Sequence, residues 1–132
     1  MALGVQEDLA ARTRRFALAV IRLYGVLPRS TVAAVLGRQL LRSGTSVGAH
    51  YREARRAKSN ADFISKVEGA LQELDESAYW LELLREAKLV RESAANTLVA
   101  ESNELISIFV SVVRQAKSGI RAGHPSTFIL HP

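Results

Sequence analysis

The stretch QLLRSGTSVGAHYREA, residues 39–54, holds three serine or threonine residues, two glycines, one histidine and two arginines where a bundle helix normally carries leucines. Wound onto a helix at about 100° per residue, its apolar and small polar side chains fall in one narrow sector. We call this sector the seam; with the turn before it, it comprises Leu36, Leu40, Ser43, Val47, His50 and Ala54, with Ser46 at its edge. The pattern predicts a core-facing helix whose second half packs unusually close to its neighbour.

The side of this helix opposite the seam carries an arginine stripe, formed by Arg38, Arg42, Arg52 and Arg56. A stripe of this kind is either a solvated face or a track for phosphate groups, because the planar guanidinium matches phosphate oxygens. With the neighbouring Arg55 and Lys58, it forms the predicted nucleic-acid contact. Since only Tyr51 on this helix is aromatic, we expect backbone contact with little sequence specificity.

Three glycines, Gly37, Gly44 and Gly48, line one flank of the helix between the seam and the stripe. Each glycine costs about 1 kcal/mol relative to alanine inside a helix. Three on one flank therefore indicate a compensating close contact, either with a second helix or with another subunit. We assign them to an oligomer interface.

Apolar periodicity predicts four helices, at about residues 8–25, 30–57, 60–88 and 92–117. Asp8, Ser30 and Ser59 are the expected N-caps, and Gly119 is the expected C-terminal stop. Short connections make successive helices antiparallel neighbours, so the fold class is all-α, an up-down-up-down four-helix bundle over residues 1–118. Residues 119–132, which include Phe128, are expected to form a flexible tail.

Two arrangements of side chains suggest a catalytic or metal site, but the evidence for each is weak. Ser46, His50 and Glu53 share a helix face, but mid-helix amides are already bonded to their own carbonyls and cannot form an oxyanion hole. His50 and Glu53 also reverse the Glu-x-x-His order of bundle metal sites, and the pair occurs once. We predict no catalytic activity, no metal and no cofactor.

The segment around residues 77–84 is apolar around most of its circumference, more than one bundle seam requires. Tyr79, Trp80 and Leu83 are therefore either an exposed patch or a subunit interface, and we favour the interface because aromatic residues with a polar tip suit it.

Charge divides the chain into two halves. Up to Lys58 there are eleven Lys or Arg against three Asp or Glu, a net charge of +8, whereas the remainder has seven against ten, a net charge of −3. This asymmetry indicates an anionic partner or an acidic patch on another copy of the chain. With no cysteine, no basic leader and no long apolar run, we expect a cytoplasmic protein with no membrane contact.

Several segments resemble one family. They are Gln39-Leu40-Leu41-Arg42-Ser43, Ser46-Val47, Ala49, Glu53, Asp62-Phe63-Ile64 and Glu76-Ser77-Ala78-Tyr79-Trp80-Leu81. This pattern resembles the bacterial 23S rRNA-intervening sequence protein family, over about Phe16 to Lys117. The sequence departs from it at His50, where the family usually has asparagine, and at Ala54, where it has glycine.

The resemblance implies a small cytosolic antiparallel bundle that assembles as a ring-like homopentamer without known enzymatic activity. A related accessory protein of diversity-generating retroelements binds nucleic acid and a reverse transcriptase. Our hypothesis is a non-enzymatic oligomer that binds RNA or DNA through its basic surface. The alternative is a scaffold whose basic face pairs with acidic residues of a neighbouring copy, such as Glu73, Glu76 or Glu82, or docks a protein partner.

Overall fold

Four α-helices make up the architecture of the computed structural model, which describes residues 2–122, with side chains for residues 9–119. They are α1 (Ala2–Gly25), α2 (Thr31–Arg55), α3 (Asn60–Glu86) and α4 (Glu92–Ala122). No strand occurs within residues 2–122. The predicted all-α, four-helix fold is confirmed.

At two of the three predicted N-caps, a serine side chain accepts a hydrogen bond from a backbone amide in the first turn of the helix. The Ser30 side chain accepts a hydrogen bond from the Ala33 amide at 3.1 Å, and the Ser59 side chain accepts one from the Asp62 amide at 3.0 Å. Asp8, by contrast, lies inside α1, which begins at Ala2. The helix therefore starts about two turns before the predicted cap.

The C-terminal helix also differs from its expected length. It continues through Gly119 to Ala122, because a single glycine lowers helix stability without ending a helix. Residues 119–122 of the predicted tail are thus helical, and the rest of that segment, with Phe128, lies outside the described residues.

The helices pack in chain order. The most extensive contact is between α2 and α3, followed by that of α3 with α4 and then that of α1 with α2, while α1 and α4 meet at fewer positions. Positions further along α2 meet α1 at progressively earlier residues: Gly37 faces Tyr24, Gly44 faces Val20 and Gly48 faces Thr13. The helix packing is that of a bundle.

The core is a continuous apolar cluster drawn from all four helices. Its largest fully buried members are Phe16, Phe109, Leu9, Leu40, Leu74, Leu81, Leu84 and Leu105. Two polar contacts hold α4: Arg12 donates to Glu101 at 2.8 and 3.1 Å, linking α1 to α4, and Asn60 of α3 donates to the Ala116 carbonyl of α4 at 2.8 Å. Within the described residues, the structure contains no helix that is both long and apolar enough to cross a membrane.

Candidate nucleic-acid interface

The seam of α2 lies against α3 and the core. Ser43 and Val47 are fully buried, and the hydroxyls of Ser43 and Ser77 are hydrogen-bonded at 2.8 Å. Ser46 is half-buried and donates at 2.7 Å to the Arg42 carbonyl of its own helix. The hydroxyl groups of the quoted stretch are thus used for packing and for bonds within the fold.

His50 lies between two carboxylates on the α3 side. Its Nε2 atom is 3.7 Å from Glu73 Oε2 and its Nδ1 atom is 3.8 Å from Glu53 Oε1. The Nδ1 atom is buried without a hydrogen-bond partner, and the ring covers Gly69, where an added Cβ would lie 3.0 Å from Nδ1. Within the described residues, no group of three or more His, Cys, Asp or Glu side chains is arranged to hold a metal ion.

The three glycines face α1 and the α1–α2 connection of the same chain. A Cβ at Gly37 would lie 2.5 Å from Leu27 Cδ1, and one at Gly44 would lie 2.8 Å from Val20 Cγ2. At Gly48 the corresponding distance to Thr13 Oγ1 is 3.3 Å. Of the two partners considered from sequence, a second helix therefore occupies this flank.

Arg42 is engaged inside the chain. Its guanidinium pairs with Glu76 and lies 3.4 Å from Glu73 Oε1, and the Trp80 indole also donates to Glu76 at 3.0 Å. Glu73 and Glu76, which were considered as partners on a neighbouring copy, therefore hold Arg42 in the same copy. Arg42 is the least available member of the arginine stripe.

The other predicted interface residues lie next to this ion-pair cluster. Tyr79 is 53% exposed, and its ring centroid is 5.1 Å from that of the Trp80 ring. Trp80 and Leu83 are half-buried. Tyr79 is thus the most accessible of the three.

Four other arginines line a groove between α1 and α2. We define the basic groove, of about 750 Å³, by its lining residues: Ala10, Thr13, Arg14, Ala17, Thr45, Gly48, Ala49, Tyr51, Arg52, Glu53, Arg55 and Arg56. Three of its four arginines were predicted from the sequence. Arg14 was missed because it lies on a different helix, although it belongs to the strongly basic first half of the chain.

The groove arginines are exposed and free of ion pairs with acids among the described residues. The one acidic group in the lining, Glu53, lies 3.6 Å from Lys66 Nζ on α3, so its charge is offset from outside the groove. Arg38 and Lys58 are also exposed but do not line the groove.

Tyr51 contributes to the groove lining from a buried position. It is 3% exposed, and its ring is tilted by 53° against Phe109 with centroids 5.5 Å apart. Burial raises the pKa of the Tyr51 hydroxyl above its ordinary value, while the nearby Arg55 cation acts in the opposite direction. The groove therefore combines exposed cationic side chains with an aromatic ring anchored in the core.

Comparison with solved structures identifies a close fold relative. A crystal structure of a protein of unknown function from the S23 ribosomal protein family of Bacteroides thetaiotaomicron matches with a TM-score of 0.78 and 35% sequence identity. The match covers 83% of this chain and 97% of that one. No match was found among curated proteins.

The family model described as 23S rRNA-intervening sequence protein matches residues 7–111. This range includes α2 and α3 in full, together with all the residues that line the basic groove. The chain belongs to the 23S rRNA-intervening sequence protein family.

Proposed function

We propose that this chain is a non-enzymatic, cytoplasmic protein that binds RNA or DNA through the basic groove. One observation carries the proposal: Arg14 from α1, Arg52 and Arg55 from α2 and Arg56 at the C-cap of α2 line a single groove. Arg38 and Lys58 would extend the contact beyond it. Arg42, the remaining residue of the predicted set, contributes less because its charge is already neutralised by Glu73 and Glu76.

The groove arginines suit phosphate groups for a simple physical reason. A guanidinium group is always charged and offers its donors in a planar fork that fits two phosphate oxygens. Each neutralised phosphate releases condensed counterions, so four such contacts predict an affinity loss of about a hundredfold between 50 and 200 mM salt. Since these contacts reach the backbone and not the base edges, binding would be largely independent of sequence.

The decisive experiment measures fluorescence anisotropy of labelled RNA and DNA at several salt concentrations. The test variant carries Arg52→Gln, Arg55→Gln and Arg56→Gln. The matched control carries Lys88→Gln, Arg91→Gln and Arg114→Gln, which remove three exposed cations from outside the groove. We expect the groove variant to lose at least tenfold in affinity and to reduce the salt slope by about three, while the control stays within a factor of about three of the parent.

Two results would contradict this proposal. One is the absence of binding to either nucleic acid even at low salt. The other is an equal loss in the groove variant and in the control, because the interaction would then depend on net charge and not on the groove.

A second proposal concerns assembly. Large apolar side chains are exposed around the α1–α2 connection and on α3: Leu18, Ile21, Val26, Val32, Val35 and Tyr79. Exposed apolar residues in such number on a small domain are typical of an interaction surface. We propose that the bundle, with its helices antiparallel, forms a homo-oligomer through this surface and through Trp80 and Leu83, with the ring-like pentamer of the family as the expected stoichiometry.

Light scattering after size exclusion tests the assembly. We expect Val35→Glu or Tyr79→Glu to dissociate the oligomer, whereas Arg52→Glu leaves it intact. A scaffold role, in which the basic face pairs with another copy or a protein partner, predicts the reverse: charge reversal at Arg38 and Arg52 would dissociate the assembly. A monomeric parent protein would contradict both forms of self-assembly.

A further inference from the structure

The basic groove offers no aromatic surface on which a base could stack. Tyr51 is the aromatic residue in its lining; it is 3% exposed and its ring packs against Phe109. Proteins that hold single strands without sequence preference combine a cationic track with accessible aromatic rings. The groove has the first of these components and lacks the second.

The exposed aromatic residue among those described lies elsewhere. Tyr79 stands on α3 beside Trp80, and the same helix carries Glu73, Asp75, Glu76 and Glu82. A strand that stacked on Tyr79 would bring its phosphates close to this acidic helix. The like charges of phosphate and carboxylate oppose such an approach.

The spacing of the groove arginines also favours a dense array of phosphates. Arg52, Arg55 and Arg56 lie within five consecutive residues of the chain, a length of about 6 Å along a helix axis. Over this distance a duplex presents about three to four phosphate charges, whereas one strand of it presents about half that number. Arg14 on the other wall adds a fourth cation from a different direction.

We infer that the preferred ligand of the basic groove is duplex nucleic acid, gripped by its sugar-phosphate backbone, and not a single strand. The inference rests on the proposed nucleic-acid binding and specifies its substrate class. Because duplexes release more counterions per contact than single strands do, a site that works by charge alone binds a duplex more tightly. Neither base identity nor base accessibility enters the recognition.

The test compares a 20-base-pair RNA duplex and a DNA duplex with an unstructured single strand of the same number of phosphates, by anisotropy at low and physiological salt. We expect each duplex to bind at least tenfold more tightly than the single strand and to compete for the same sites. The triple variant Arg52→Gln, Arg55→Gln and Arg56→Gln should weaken duplex binding. Tyr79→Ala should leave the ratio of duplex affinity to single-strand affinity unchanged, because any effect on assembly acts on both ligands alike.

The outcomes separate this inference from the proposed function. Single-strand binding that equals or exceeds duplex binding, and is lost in the arginine variant, would overturn the inference and leave the proposed function in place. Selective loss of single-strand binding in Tyr79→Ala would also overturn it, by revealing a stacking surface. The absence of any binding at low salt would instead overturn the proposed function itself.

Discussion

The two flanks of α2 illustrate two ways of joining helices. On the flank facing α1, Gly44 brings the α2 backbone so close to Val20 that a Cβ would lie 2.8 Å from Val20 Cγ2. On the flank facing α3, the contact includes polar groups: Ser43 bonds to Ser77 and Arg42 pairs with Glu73 and Glu76. The first contact depends on the absence of side chains and the second on their chemistry.

The α1 flank also shows how a packing feature turns into a candidate binding site. Its lining includes the small residues Ala10, Ala17, Gly48 and Ala49, and the arginines stand around them. Small side chains allow close helix contact at Gly37 and Gly44 and leave open space further along. The groove is therefore a continuation of the helix-packing flank, whereas on the α3 flank Glu53 lies near His50 and Lys66 in a series of polar contacts.

The largest effect is expected from Gly44→Ala. The new methyl group would meet Val20, a β-branched residue that is fully buried and has little freedom to move. We expect overpacking to outweigh the gain in helix propensity, with a net loss of about 1 to 2 kcal/mol in the free energy of unfolding and a fall in Tm of about 5 °C. Thermal unfolding by circular dichroism measures both.

Gly25→Ala is the matched control for this substitution. A Cβ at Gly25 would meet nothing within 4 Å, so its Tm should equal or exceed that of the parent. Equal Tm values for the two variants would mean that α1 and α2 are not in tight contact at Gly44.

Loss of the hydrogen bond between Ser43 and Ser77 on the α3 flank should lower the free energy of unfolding by less than Gly44→Ala does. Ser43→Ala and Ser77→Ala each remove one partner of a buried hydrogen bond, at a cost of about 1 kcal/mol. Ser77 retains its bond to the Glu73 carbonyl at 2.8 Å, and the double variant should cost less than the two single variants together because they share one bond. Urea unfolding of all four proteins completes the cycle; strict additivity would show that the two hydroxyls do not interact.

Arg42→Gln should have a smaller effect on stability, below about 1 kcal/mol, because the ion pair is half exposed. Its effect on nucleic-acid affinity should also be smaller than that of Arg55→Gln, which removes a groove cation without an acidic partner in the described residues. Chemical unfolding and anisotropy at one salt concentration give the two values. An equal loss of affinity in both variants would extend the binding surface to the α3 side.

The helices could be predicted largely from local pattern. Periodic apolar residues and the Ser30 and Ser59 caps mark α2 and α3 because their signals act within one turn of the chain. Asp8 was wrong as a start, since an aspartate inside a helix costs only a fraction of a kcal/mol, roughly 0.7 at most, and does not by itself end the preceding turn. Lys88, whose φ of 62° places it in the left-handed region after α3, carries no sequence signal because glycine is the usual residue there.

Only part of the candidate site could be predicted from the sequence, for a different reason. A helical projection places Arg52, Arg55 and Arg56 away from the seam, but it does not say which neighbouring helix lies beside them. The partners of Arg42 are 31 and 34 residues away in the chain, and Arg14 reaches the groove from α1. Long-range packing decides which cations are neutralised and which share a groove.

The smallest effect is expected from Gly48→Ala, at the point where close packing gives way to the basic groove. Its Cβ would lie 3.3 Å from Thr13 Oγ1 and 3.5 Å from Thr13 Cβ, a tighter contact than usual but not a clash. Thr13 is held by its bond to the Leu9 carbonyl at 2.8 Å, so a small shift would offset the gain of about 1 kcal/mol that alanine brings to a helix. We expect the free energy of unfolding to stay within about 0.5 kcal/mol of the parent and nucleic-acid affinity to be unchanged. A loss of stability as large as that of Gly44→Ala would mean that α1 packs as tightly against α2 at Gly48, beside the groove, as it does at Gly44. The groove would then have little room to adjust to a ligand.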